Sequence, residues 1–173
     1  MDCRSVRFDA EKMVSIIGQV PESAWSTPSA FRDTDVHHGY RRVPLVTAKY
    51  HYPVASLFDV VWDAFGPVRD ATLSQLLPGG FIVPHRDAGP WLERWQIPIV
   101  VSGQWHSVDP PSVVAGFPFM VKHWESHAVT NRGSVPRIHL VVDRDIPVCI
   151  ESLPFATFPV PADMADLVDR SRQ

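Results

Sequence analysis

Residues that bind metals or move protons crowd into one short stretch, PHRDAGPWLER (84–94), between two apolar runs, GGFIV and WQIPIVV. On a strand, residues i and i+2 face the same side, so His85 and Asp87 would project together with Arg86 pointing away. An imidazole nitrogen and a carboxylate oxygen on one face are two of the three ligands of a facial metal site. The third should be a histidine from a distant strand. His127, in ESHAVTNRG at a strand end beside a turn, is the candidate. Two His and one carboxylate leave the opposite face of an octahedron open, the arrangement that ferrous iron uses to activate oxygen. Taken alone, H-x-D also describes a surface turn carrying a salt bridge.

A second unusual residue strengthens the metal reading. Arg137 enters the otherwise apolar strand PRIHLVVD ten residues after His127. A buried guanidinium must be paired, and its planar fork suits a carboxylate held by two hydrogen bonds. Arg137, His139 and Val141 share a face, with Asp143 at its far end, so the missing carboxylate belongs either to a ligand or to an acid such as Asp143. His139 reads either as a pocket-lining donor or as a hydrogen-bonded core histidine. His123 is a rival to His127. His37 and His38, beside Gly39, read as exposed loop residues, and His51 and His106 show no partner pattern.

The elements that must position these residues are short. The chain has 173 residues, 45% hydrophobic and 20% charged, a balance that suits one globular domain. Its net charge of −3 lacks the basic excess of a nucleic-acid binder. Two distant cysteines make neither a disulfide framework nor a CxxC motif. Without a signal pattern or a membrane-length apolar run, a cytoplasmic location is expected.

Residues 9–20 read as a helix capped by Asp9, residues 21–42 as loop, 43–52 as a strand and 53–65 as a second helix. From residue 68 the pieces VRDATLSQLL, GGFIVPH, WQIPIVV, QWHSV, FPFMVKHW, SHAV and PRIHLVVD are short, apolar or alternating, and broken by Gly, Pro, Asn and Asp. Such spacing predicts an all-β sandwich or barrel and leaves no room for the helices of a parallel sheet. GQWHSVDPPSVVAG (103–116) is long enough to form a lid over the metal. The division expected is a support region (1–67), a β core (68–147) and a C-terminal strap with a short helix (148–173).

LSQLLPGGFIVPHRD, LERWQIPIVVSG, SHAVTNRG and RIHLVVD together resemble the aspartyl/asparaginyl β-hydroxylase-like group of Fe(II)/2-oxoglutarate dioxygenases, which includes bacterial proline hydroxylases. The resemblance spans roughly residues 68–145, and the order of these segments is as specific as any one of them. It implies a mainly β, cupin-like jelly roll, the double-stranded β-helix, with N-terminal helices packed on one sheet. It also implies that His85, Asp87 and His127 bind Fe(II). Arg137 would grip the distal carboxylate of 2-oxoglutarate, with Arg94 as a second cationic contact and Ser74 as a hydroxyl contact. Alternation agrees that Arg94 can face inward with Gln96 while Trp95 and Ile97 face away. Arg94 paired with Glu93 or Asp87 is the plainer alternative.

The reaction implied is hydroxylation of a C–H bond with O2 and 2-oxoglutarate as co-substrates, on an amino acid that is free or within a peptide. Trp91, which follows the HRDAGP turn, is the candidate wall of the substrate pocket. Nucleic acid and membrane are not expected as partners, and the sequence leaves the oligomeric state open. Two other readings stand beside this one: a cupin-like metalloenzyme that does not use 2-oxoglutarate, and a non-catalytic jelly-roll binding module. The first gives Arg137 no co-substrate to bind, and the second leaves the three ligands unassembled or bridged by protein hydrogen bonds.

Overall fold

The computed structural model describes residues 6–27, 37–47, 50–51, 55, 58–87, 92–107, 110–121 and 125–145. Helix α1 (Ala10–Ile17) begins where Asp9 accepts a hydrogen bond from the Lys12 amide at 3.0 Å, and it buries Met13 and Ile16. Helix α2 (Asp59–Phe65) lies in the 53–65 span read as helix, of which 53–54 and 56–57 fall outside the described residues, and it stops at Gly66, whose φ of +67° breaks the helical path. Neither helix is long and apolar enough to cross a membrane.

Eight strands follow among the described residues: β1 (His37–Thr47), β2 (Tyr50–His51), β3 (Asp70–His85), β4 (Leu92–Val100), β5 (Gln104–Ser107), β6 (Phe119–Val121), β7 (His127–Thr130) and β8 (Arg137–Asp145). All pairings are antiparallel, in the order β2-β1-β3-β8-β4-β6, with β7 branching from β3 and β5 pairing β7. This curled sheet is a mainly β, cupin-like double-stranded β-helix with the two helices packed on one face.

Two departures from the sequence reading matter for the site. The first is that β1 starts at His37, inside the stretch read as loop, because its first residues pair with Phe81 and Ile82 of β3. The second is that VRDATLSQLL and GGFIVPH form one strand, not two. The proline-glycine pair that signalled a break makes a bend instead. Gly79 takes a φ of +76° and its amide donates to the Asn131 carbonyl, while the Asn131 amide donates to Gly80. A Cβ on Gly80 would lie 2.8 Å from the His38 and Leu77 carbonyls, so no larger residue fits the crossing. Before the bend β3 pairs β8; after it β3 pairs β7, the way a bent strand passes between layers.

Alternation gives β1, β3, β4 and β8 two different faces. One carries Val43, Leu45, Leu73, Ile97, Leu140 and Val142, packed with Phe8, Met13, Phe58 and Phe65 in the main core. Phe65 bridges Phe8 and Trp95, with ring centroids at 6.1 and 5.8 Å. The opposite face carries Ser74, Arg94, Gln96, Arg137, His139 and Asp143 and lines a cavity.

Candidate metal centre

The pairing of β3 with β7 delivers the two histidines. His85 is the last residue of β3 and His127 the first of β7; they are register partners with ring centroids 4.4 Å apart. Asp87 arrives differently from expectation. It lies two residues past the end of β3, so strand alternation does not place it, and Arg86 also borders the cavity instead of pointing away. Nevertheless Asp87 Oδ2 lies 3.5 Å from His127 Nε2, and Oδ1 lies 3.8 Å from His85 Nε2. One ligand atom from each of the three residues falls within 4.8 Å of the others.

The side chains turn atoms toward one another that a metal could meet. His85 Nδ1 faces the Val83 carbonyl at 2.9 Å, and His127 Nδ1 faces the Glu125 carbonyl at 3.3 Å. A carbonyl accepts only from a proton-bearing nitrogen, so both rings spend Nδ1 on the backbone and leave Nε2 as the atom turned toward Asp87. Burial pushes His127 down to about 4, further than the charge of Asp87 raises it, so the ring is neutral at ordinary pH. Asp87 Oδ2 is buried and has no hydrogen-bond partner, which is costly for a carboxylate oxygen unless a cation meets it. Two imidazoles and one carboxylate, with stacked Trp105 holding the His127 ring at 4.5 Å, fit a divalent ion of the iron or zinc type.

The triad opens on a cavity of about 500 Å³, which Arg137 also lines. Arg137 is only 5% exposed; Nη1 reaches the Ser102 carbonyl at 3.4 Å, and Nη2 is buried without a partner. Asp143, the acid that could have neutralised it, is bound elsewhere. Burial lowers Arg137 to about 10, which leaves it cationic at neutral pH. His139 donates from Nδ1 to Gln96 Oε1 at 2.7 Å and keeps a buried, unpartnered Nε2. Burial first, and the charge of Arg137 second, hold it well below the ordinary histidine range. Ser74 lines the same cavity and shares a hydrogen bond with Tyr40.

Arg94 faces inward, as alternation requires, but its donors are engaged. Nε and Nη2 each meet an Asp143 oxygen at 2.7 Å, and Nη1 donates to Asp87 Oδ1. Glu93, offered by the sequence as a partner, instead pairs Arg144 at 3.5 Å.

Several cavity residues carried no usable signal in the sequence. His37 lies with its ring 5.6 Å from His85, and Tyr40 stands beside it at 6.3 Å. Both belong to a strand that begins where a loop was expected. His106 bonds Thr130 Oγ1 at 3.0 Å. The expected lid begins as β5, which pairs β7 and brings Trp105 against His127. Asn131 is structural: fully buried, it donates to Leu76 and Val135 carbonyls, each at 2.9 Å, and accepts from Ser102 and Gly133. Trp91, His123 and the strap from 148 onward lie outside the described residues.

No protein-family model matches the chain, and no curated protein matches it. Solved structures do match in shape. A 2OG-Fe(II) oxygenase-family oxidoreductase from Burkholderia pseudomallei covers 77% of this chain and 76% of its own, at 16% identity and a TM-score of 0.54. A prolyl-4-hydroxylase from Pseudomonas putida covers 78% and 84%, at 12% identity and 0.50. A predicted oxalate decarboxylase from Thermotoga maritima covers 73% and 98%, at 18% identity and 0.50. The fold of this chain is therefore one shared by a 2OG-Fe(II) oxygenase-family oxidoreductase, a prolyl-4-hydroxylase and a predicted oxalate decarboxylase.

Proposed function

We propose that this chain is an Fe(II)- and 2-oxoglutarate-dependent oxygenase that hydroxylates a C–H bond of an amino acid, free or within a peptide. The observation that carries the reading is Arg137. It is a buried cation with an unpartnered Nη2, lining the same cavity as a His–Asp–His triad. A metal site alone would serve many cupin chemistries. The additional uncompensated guanidinium calls for an anionic co-substrate that reaches the metal, and a keto-acid with a distal carboxylate has that form.

In this reading His85, Asp87 and His127 hold the iron, which supplies oxygen activation when bound. Arg137 binds the distal carboxylate, and the Ser74 hydroxyl lies on the same face. His139, neutral, lines the cavity beside Arg137 and does not grip the anion. The walls exclude water and aim the substrate's C–H bond at the open face of the metal. A cavity of about 500 Å³ suits small-molecule or single-side-chain substrates. The amino-acid assignment rests on the resemblance of the PGG-x4-H-x-D, S-H-x-V and R-I-H-L-V segments to the hydroxylase group.

The test is optical. Anaerobic Fe(II) with 2-oxoglutarate should give a weak visible charge-transfer band that His127→Ala abolishes. Arg137→Met should weaken 2-oxoglutarate binding by on the order of 2–5 kcal/mol, roughly 30-fold or more. Wild-type protein that binds iron but gives no band defeats the proposal. Succinate release screened over free amino acids and short peptides would then identify the substrate.

A further inference from the structure

We propose that Arg94 is a positioning residue for the metal ligand Asp87, itself locked by Asp143, and that it does not contact the co-substrate. The inference rests on the metal-site reading above, but not on the identity of co-substrate or substrate. Asp87 needs such support. It lies past the end of β3, outside the hydrogen-bonded ladder that fixes His85 and His127. A carboxylate there has free rotation about its side chain and two chemically equal oxygens.

Arg94 removes that freedom. Its Nη1 occupies Asp87 Oδ1, which leaves Oδ2 buried, unpartnered and 3.5 Å from His127 Nε2. One oxygen is therefore held by protein and the other is presented to the metal. The guanidinium is itself fixed. Arg94 and Asp143 are register partners on β4 and β8, and the two 2.7 Å bonds form a planar fork. Asp143 is also the register partner of Asp70 on β3, so the fork stands in the middle of three paired strands. The chain of support runs from the rigid sheet through Asp143 and Arg94 to a ligand that the sheet does not itself contain. Outer hydrogen bonds of this kind typically contribute 10–100-fold to metal affinity.

Charge and geometry make opposite predictions here. If Arg94 acted through its charge alone, removing it would tighten a dication, and replacing it by lysine would change little. If it acts by geometry, lysine fails, because an ammonium has no planar fork.

The experiment is cobalt(II) titration of the metal-free, full-length protein by calorimetry, with thermal melts to confirm folding. Arg94→Lys should weaken Co(II) binding by about 10-fold or more. Asp143→Asn, which meets neither metal nor co-substrate, should weaken it in the same direction and less. At saturating metal, 2-oxoglutarate affinity of Arg94→Lys should stay within about twofold of wild type. Unchanged or tighter Co(II) binding in folded Arg94→Lys overturns the proposal, as does weakened 2-oxoglutarate binding with metal binding intact. Should Arg94→Lys not fold, Asp143→Asn decides by the same criterion. Wild-type protein that takes up no Co(II) ends the metal-site reading itself, whereas wild-type uptake with unaltered variants ends only the role of Arg94.

Discussion

The two faces of β1, β3, β4 and β8 both hold buried residues, and those residues behave in opposite ways. On the helix side Leu45, Leu73, Ile97 and Leu140 are 0% exposed, and hydrocarbon meets hydrocarbon. On the cavity side Arg137, His139 and Asp143 are 3–7% exposed, and polar atoms meet polar atoms or nothing. Arg137 Nη2, His139 Nε2 and Asp87 Oδ2 lack partners in a region where each such atom costs free energy. One side stabilises the domain; the other is tolerated because that stability exists. Burial alone therefore does not identify a core. What separates the faces is whether the buried groups satisfy one another.

Substitutions should split along this line. The largest effect belongs to the helix side: Leu140→Ala should cost about 2–5 kcal/mol in denaturant unfolding through the cavity it leaves. The cavity side should show the opposite sign. Arg137→Met removes a buried charge without a carboxylate partner and should raise the stability of the ligand-free protein by about 1–3 kcal/mol, read as a higher Tm. Its folded value of about 10 lies below the ordinary arginine range, so folding disfavours the charged form. That penalty is fully present below pH 10 and fades only as pH rises beyond it, so the gain from the substitution should be undiminished at pH 7. A fall in Tm as large as that of Leu140→Ala would erase the distinction between the faces.

Acid provides the next contrast. His127 is neutral in the fold down to about 4, while an unfolded histidine takes up a proton near 6.5. Between those values the unfolded chain binds more protons, so stability is present above pH 6.5 and is lost as pH falls toward 4. At pH 5 the loss from this residue alone is about 2 kcal/mol, and melts of His127→Leu should show a flatter pH dependence. The smallest effect lies away from both faces: Asp9→Ala removes the α1 cap and should cost about 1 kcal/mol with metal binding unaltered.

Much of the site could be read from the sequence because its strongest signals are local. H-R-D between apolar runs, and an arginine in an apolar strand, are anomalies visible without knowing any partner. The Asp9 cap is local too. What remained hidden depends on register between distant strands. The sequence offered Arg94 a neighbour, Glu93 or Asp87, but its strongest partner, Asp143, is supplied by the β4–β8 pairing 49 residues away. His37 and Tyr40 looked like loop residues because Gly39 and the polar residues around them mask a strand whose pairing energy comes from β3. Asp87 does come within reach of the two histidines, but not by strand alternation: it lies past the end of β3, with Arg94 Nη1 on its Oδ1.

The bend at Gly79–Gly80 has a further consequence. Leu76, which faces Arg137 across the ladder, and His85, which faces His127, belong to the same strand. Arg137 and the His85–His127 pair are thus anchored to one continuous strand, and the bend at Gly79–Gly80 lies between the two anchor points. A substitution at the bend, where a Cβ on Gly80 meets backbone on both sides, would therefore disturb both groups at once although it touches neither.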